Sequence, residues 1–275
     1  MRPLLEIENL SVSFLDPHRP LQKIEAVKKV NIALSEGTFN SIVGESGSGK
    51  TVTSLAVTRL LKAHAVSGKI LWRTEGKEED LLSLNEKEFL NIRGKEISYV
   101  FQDPASSLNP VLRVGTQIAE AYRAHFDADD RQAKKRALEF FSAVQLKDVE
   151  RVYQSYPHEL SGGMRQRVMI AMALITSPRL LIADEPTTAL DSEVEKEILN
   201  LLLKIKEERK ITILFITHDM AHAASFSDVI YVVKSGTVTE RLERTPQGFV
   251  AAGDYAKKLF SASFWNAPPK TILEI

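Results

Sequence analysis

Three short stretches of the chain carry residue types that could handle a phosphate anion and move a proton. The first is Gly44-Glu45-Ser46-Gly47-Ser48-Gly49-Lys50-Thr51, a full match to G-x-x-x-x-G-K-[ST]. Glycines at that spacing let the backbone curl with its N–H groups turned inward around a polyphosphate. Lys50 reaches the terminal phosphates and Thr51 offers a hydroxyl to Mg2+. At average glycine usage a chance match arises on the order of once in a hundred chains of this size, so an ordinary Gly/Ser turn is the weaker reading. The second stretch is Leu180-Leu181-Ile182-Ala183-Asp184-Glu185, an apolar run ending in two adjacent carboxylates. It reads as a strand buried on both faces that delivers both acids at its carboxyl end. The third is Leu160-Ser161-Gly162-Gly163-Met164, where a Ser and two glycines precede an apolar run to Ile175 that lacks Gly and Pro. A helix begun this way turns backbone N–H groups towards an approaching anion. Singly, Ser-Gly-Gly also reads as a flexible turn, and Asp-Glu as a solvated helix start.

These residues need a framework, and the surrounding pattern supplies one. Phe39-Asn40-Ser41-Ile42-Val43 is strand-like and Val52 to Leu61 contains no Gly or Pro, so the phosphate loop is expected between a strand and a helix. Leu5, Ile7, Leu10, Val12 and Phe14 alternate with mostly polar neighbours, which predicts a strand with one irregular step. Asp16-Pro17-His18-Arg19-Pro20 turns the chain into a second alternating strand, Ile24 to Leu34. Gly68 to Arg73 reads as a strand and the charged run from Thr74 to Asp80 as a solvated loop. Ile97 to Phe101 is a strand leading to Gln102. From Val114 to Val144 the period becomes helical, with Ile118, Tyr122 and Phe126 four apart, then Ala133, Ala137, Phe140 or Phe141, and Val144 after a cap at Asp129-Asp130. Beyond Asp191 come a helix from Glu193 to Glu208, a strand from Ile211 to Ile216, His218, and closing strands Val229 to Val233 and Thr237 to Arg241. Strands separated by helices predict an α/β fold whose parallel sheet holds ligands at its carboxyl edge. His218, Asp219 and His222 spell H-D-x-x-H, near a zinc-protease pattern. The first His follows a strand and the expected Glu is Asp, so zinc is not expected there.

Composition narrows the classes further. A chain of 275 residues can bury a substantial core as one large domain or a domain with a subdomain. Thirty-six basic residues balance 36 acidic ones, so no global field draws it to nucleic acid or anionic lipid. With no cysteine there is no disulfide, Cys-ligated zinc or Cys-held iron–sulfur cluster. No apolar run is long enough to span a bilayer, and acids come too early for a secretory signal; membrane attachment would have to come through another chain.

In this order the motifs resemble the ATP-binding subunits of ABC transporters, over roughly residues 4–245. The resemblance rests on the phosphate loop, Gln102 after its strand, Leu160-Ser161-Gly162-Gly163, Asp184-Glu185, Ala189-Leu190-Asp191 and Thr217-His218. Gln102-Asp103-Pro104-Ala105-Ser106-Ser107-Leu108-Asn109-Pro110 and Tyr156-Pro157-His158-Glu159-Leu160 are similar to the importer branch for peptides, nickel and related solutes. The resemblance implies an ABC-type P-loop NTPase with a mixed core sheet, an N-terminal antiparallel β portion, an inserted helical subdomain at about 104–165 and a short extension, 246–275. It implies an ATPase using ATP and Mg2+. Gly44, Glu45, Ser46, Gly47, Ser48, Gly49, Lys50 and Thr51 would bind the phosphates, and Thr51, Gln102 and Asp184 the metal. Glu185 would accept the attacking water's proton, with His218 and Gln102 beside it. Phe14 matches an aromatic that stacks on adenine, where relatives often place Tyr, although a core Phe is nearly as good a reading. Leu160, Ser161, Gly162, Gly163 and Met164 would cap the γ-phosphate held by a second ATPase subunit, with Ala189, Leu190 and Asp191 as the D-loop. That second subunit is usually a different chain in this branch. The implied partners are two transmembrane permease subunits, docked by a short helix into a groove beside the Gln102 loop, and an extracytoplasmic solute-binding protein acting through them. No nucleic acid is implied, and the location is peripheral, at the cytoplasmic face of the inner membrane. The rivals are a soluble ABC-type ATPase acting on ribosomes or DNA, an exporter ATPase, and a regulatory subunit that does not cleave ATP. The first usually carries two cores, long coiled coils or zinc cysteines, and the last conflicts with Glu185 and His218 both being present.

Overall fold

The computed structural model describes residues 3–16, 18–188 and 190–264. In chain order it begins with β1 (Leu5–Asp16), β2 (Arg19–Leu34), β3 (Phe39–Val43), α1 (Lys50–Val57), β4 (Ala65–Thr74) and β5 (Lys77–Asp80). There follow α2 (Glu86–Leu90), β6 (Ile97–Val100), α3 (Pro104–Ser107), α4 (Val114–Arg123), α5 (Asp130–Ala143), α6 (Val149–Gln154) and α7 (Gly162–Leu174). The chain closes with β7 (Leu180–Asp184), α8 (Ser192–Arg209), β8 (Thr212–Thr217), α9 (Met220–Phe226), β9 (Val229–Lys234), β10 (Thr237–Glu243) and α10 (Asp254–Phe264). These elements group into two compact units, Met1–Asn85 with Thr212–Ile275, and Glu86–Ile211.

The first unit contains two sheets. One is antiparallel, in the order β2-β1-β4-β5. Leu5, Ile7, Leu10 and Val12 are buried, and the step from Ile7 to Leu10 passes through Asn9, whose φ of 50° is left-handed. The irregularity is larger than the single expected step, because the β1–β2 ladder shifts at four places. The charged run from Thr74 to Asp80 is not a solvated loop. It turns at Glu75-Gly76, Gly76 having φ 74°, and returns as β5 against β4. Its charges find cross-strand partners: Arg73 lies opposite Glu78 and bonds it at 2.6 Å, and reaches Glu6 at 2.8 Å. The other strands of this unit lie in the order β10-β9-β3-β8, with β3 parallel to β8 and β9, and β9 antiparallel to β10. Tyr231 on β9 joins the two sheets, its hydroxyl accepting from Ala33 N–H at 3.0 Å and donating to Ala33 C=O at 2.6 Å. Helix α1 stops at Val57, short of the expected Leu61, where Arg59 turns left-handed at φ 53°.

Helix α10 lies within the extension expected at 246–275. Phe249, Ala256 and Phe260 share a core with Val43, Met220, Ala223, Ile230, Val232 and Leu242, so this segment belongs to its own unit's interior. Trp265 to Pro269 lie outside the described residues. Phe260 is 7% exposed, and cutting a buried Phe to Ala costs about 3–5 kcal/mol in lost transfer energy and cavity. Phe260→Ala is therefore expected to lower the unfolding free energy by that amount, seen as a fall in the chemical-denaturation midpoint, whereas an unchanged midpoint would show that α10 is not part of the cooperative core.

In the second unit β6 and β7 run parallel. Val114, Ile118, Ala133, Ala137, Phe140, Phe141 and Val144 are buried as the helical period requires. The helical pattern from Val114 to Val144 divides into two helices, α4 and α5, at the expected cap. Asp129 caps α5 in a capping box, accepting from Gln132 N–H at 2.7 Å while Gln132 Oε1 accepts from Asp129 N–H at 3.0 Å. Phe126 falls in the connection and stacks on Tyr122 with ring centroids 4.7 Å apart. The buried guanidinium of Arg167 ties α7 to its neighbours, donating to Val144 C=O at 2.9 Å and Glu197 Oε2 at 2.8 Å. Among the described residues no helix is long and apolar enough to cross a membrane.

Candidate active site

The phosphate loop begins where the wholly buried β3 ends. A Cβ on Gly44 would lie 2.1 Å from Val233 C=O, and one on Gly49 (φ 101°) 2.5 Å from Ala26 C=O, so neither position accepts a side chain. Gly47 (φ 75°) is different, since its reverse curl is set by backbone conformation and its Cβ direction is open. Glu45, Ser46 and Gly47 form an exposed crown, and Ser48, Gly49 and Lys50 a buried floor. Helix α1 starts at Lys50 with Gly49 as N-cap and no side-chain cap, which turns the positive end of eight residues of helix to the loop. Lys50 is 4% exposed, and its ammonium donates to Gly44 C=O at 2.8 Å and Glu45 C=O at 3.0 Å. The buried Ser48 hydroxyl has no partner. A buried cation, an orphaned hydroxyl and an uncapped helix start form a donor set that suits a polyphosphate. Thr51 is exposed on the first turn.

Parallel pairing brings His218 to the same edge. Val43 on β3 lies opposite Thr217 on β8, so Gly44 and His218 leave adjacent strands side by side, and His218 is exposed. Asp219, next in the H-D-x-x-H string, caps α9 through Ala221 N–H at 2.7 Å and His222 N–H at 3.2 Å. Phe14 is half-buried on β1 opposite Ile24.

The second unit repeats the device. Val100 on β6 lies opposite Ala183 on β7, so Gln102 and the carboxylates emerge from neighbouring carboxyl ends. Asp184 is 4% exposed and Glu185 half-buried. Glu185 stands at φ 43°, a left-handed pose that side-chain residues adopt at a cost of about 1–3 kcal/mol. Its Oε2 accepts from Gln102 Nε2 at 3.1 Å and from Thr188 Oγ1 at 3.2 Å. Tyr99 donates its hydroxyl to Asp184 Oδ2 at 2.9 Å.

The Leu160–Met164 stretch also has an internal use. Helix α7 begins at Gly162, two residues earlier than its apolar run, with Ser161 as N-cap accepting from Met164 N–H at 3.3 Å. A Cβ on Gly163 would sit 2.8 Å from Val194 Cγ1, and one on Gly162 3.6 Å from Leu190 Cδ2. The start of α7 thus meets Leu190 and the first turn of α8, which Asp191 caps through Glu193 and Val194 N–H. Ala189 lies outside the described residues.

Several contributors carried no signal in the sequence. Gly236 in the β9–β10 turn donates its N–H to Ser48 C=O at 2.9 Å and supports the loop from beneath. Tyr255 on α10 accepts a long hydrogen bond from Glu45 N–H at 3.4 Å, with Lys234 Nζ 4.6 Å from its ring centroid. Burial pushes the Tyr255 phenol above its ordinary pKa, so it stays neutral there. Tyr99 and Thr188 likewise sit in segments with no motif of their own.

A family model described as ABC transporter matches residues 27–188. The chain is 45% identical over 240 residues to the oligopeptide transport ATP-binding protein OppD of Bacillus subtilis (strain 168), covering 86% of this chain and 65% of that protein. It is 42% identical to the oligopeptide transport ATP-binding protein AppD of the same organism, across 87% of this chain and 72% of that one. To the glutathione import ATP-binding protein GsiA of Escherichia coli (strain K12) it is 42% identical, spanning 38% of that longer protein. Its fold is similar to the dimeric ATP-binding cassette MJ0796 solved in a post-hydrolysis state with ADP and Pi, at TM-score 0.75 and 31% identity, covering 87% of this chain and 98% of that one. With the phosphate loop, the paired carboxylates and the glycine-started helix all in place, the chain belongs to the ABC transporter family.

Proposed function

We propose that this chain is the ATP-binding and ATP-hydrolysing subunit of an importer for peptides, nickel, metal chelates or related small solutes, working as half of a head-to-tail ATPase dimer. The observation that carries the reading is the loop floor, where a buried ammonium and an unpaired buried hydroxyl lie under an uncapped helix start. The likeness to OppD, AppD and GsiA, whose names describe import or oligopeptide transport, supports the solute class.

In this reading residues 4–245 form the nucleotide-binding domain, with the helical subdomain at about 104–165, and Phe14 stacks on the adenine. Lys50 and the loop amides neutralise the transferring phosphoryl group, His218 holds its far side, and Glu185 takes the water's proton while Gln102 and Thr188 aim it. Thr51, Gln102 and Asp184 would hold a bound Mg2+, which would supply charge neutralisation for the transferring phosphoryl group. Ser161, Gly162 and Gly163 close the nucleotide site of a partner ATPase subunit, usually a different chain, and so exclude water. The assembly sits at the cytoplasmic face of the membrane on two permease subunits fed by a solute-binding protein. Exposed Phe101 (41%), Val111 (75%) and Leu112 (37%) offer apolar surface for a permease helix.

The test is reconstitution of the whole complex in proteoliposomes. ATP-dependent uptake of a peptide presented by the solute-binding protein is expected. Lys50→Ala should reduce ATP turnover by about 10²-fold or more, as expected for loss of a charged donor at the phosphates. Uptake that continues at the parent rate with Lys50→Ala would overturn the reading.

A further inference from the structure

Asp184 ends β7 with 4% of its surface exposed, and a carboxylate so placed needs hydrogen-bond donors from the protein. Tyr99 is one of them. On β6 it lies opposite Ile182. Alternation along β7 puts Ile182 and Asp184 on one face, so the phenol reaches the acid along the diagonal of a parallel pair. The hydroxyl meets Oδ2 at 2.9 Å, within ordinary hydrogen-bond distance. The Phe101 ring rests against the Tyr99 ring, with centroids 4.7 Å apart. Glu185, one residue on, is held by a separate pair, Gln102 and Thr188. These hydrogen bonds reach the two adjacent acids from different segments, Asp184 from inside β6 and Glu185 from the loops that follow β6 and β7.

We propose that Tyr99 is a positioning residue for the divalent cation: its hydroxyl fixes the carboxylate plane of Asp184, so that the acid needs no reorientation when Mg2+ arrives with ATP. The inference rests on the proposed role of Asp184 as a metal holder and adds a residue that the motifs do not contain. Partners that orient a metal-ligating side chain typically control metal affinity by about 10–100-fold, which sets the size of the effect. The ring contact with Phe101 contributes packing only, so Phe at position 99 isolates the hydroxyl.

Binding of a fluorescent ATP analogue to the full chain, with EDTA and then across a Mg2+ titration, separates the possibilities. In Tyr99→Phe the metal-free nucleotide affinity should stay within about twofold of the parent, while the Mg2+ concentration at half-saturation rises about tenfold. Asp184→Asn should raise that midpoint at least as far, and adding Tyr99→Phe to Asp184→Asn should move it no further, since the two residues act as one unit. The double variant also carries no buried carboxylate deprived of its donor, so it keeps the cycle readable if Tyr99→Phe alone folds poorly. An unchanged midpoint in Tyr99→Phe, an equal loss of metal-free and metal-dependent affinity, or a further shift in the double variant would overturn the proposal. A parent chain that binds the analogue with no response to Mg2+ would instead remove the metal role of Asp184, and the inference with it.

Discussion

Glu185→Gln is expected to lower ATP turnover by about 10²–10⁴-fold, the range for loss of a positioned general base, while ATP binding stays intact. The substitution is close to isosteric. Glu185 uses one oxygen, Oε2, to accept from both Gln102 and Thr188, and the amide oxygen of Gln can take both bonds from the same place. The left-handed backbone at φ 43° is no harder for Gln than for Glu. What disappears is the ability to take a proton from water, so the variant should accumulate as a closed, ATP-loaded dimer. Single-turnover hydrolysis and size-exclusion chromatography with ATP check both halves. Turnover at the parent rate would remove Glu185 from the chemistry.

Ser161→Arg is expected to abolish turnover of the assembled complex while the isolated chain keeps its ATP affinity. Ser161 has two jobs in the proposed mechanism, and they differ in size. As N-cap of α7 it accepts from Met164 N–H, and loss of a cap costs about 1 kcal/mol. As part of the surface that meets a partner's γ-phosphate it must be small, and an Arg there would hold the dimer open. Ser161→Ala removes only the cap, so it should lower stability slightly and leave much of the turnover. ATP binding lost by the isolated Ser161→Arg chain would contradict a role in trans.

The two glycines after Ser161 show how one motif can answer to two demands. Small residues at a helix start suit the approach of an anion, and α7 does begin there. Yet Gly163 is also crowded from within its own unit, since its Cβ would meet Val194 Cγ1 at 2.8 Å. A substitution at Gly163 therefore mixes packing with recognition, and Ser161 is the cleaner probe.

What could be read from the sequence is what short stretches of backbone dictate. The phosphate loop between strand and helix, the apolar run ending in Asp184, the cap at Asp129 and the alternation of strands with helices all follow from glycine spacing, capping and period within about 15 residues. The failures lie where a distant partner decides. The exception is the charged run from Thr74 to Asp80, which reads as solvated although Arg73 meets Glu78 only five residues on. Helix α10 has Tyr255, Ala256, Leu259 and Phe260 at helical spacing, but what that face packs on was set by a core built from β3, α9, β9 and β10. Tyr99 meets Asp184 across 85 residues and Tyr255 meets Glu45 across 210, separations over which no local period carries information. Local chemistry in the chain decided which groups could hold a phosphate and move a proton. Tertiary packing decided what holds those groups still, because the donors that orient a buried carboxylate come from whichever strand happens to lie beside it.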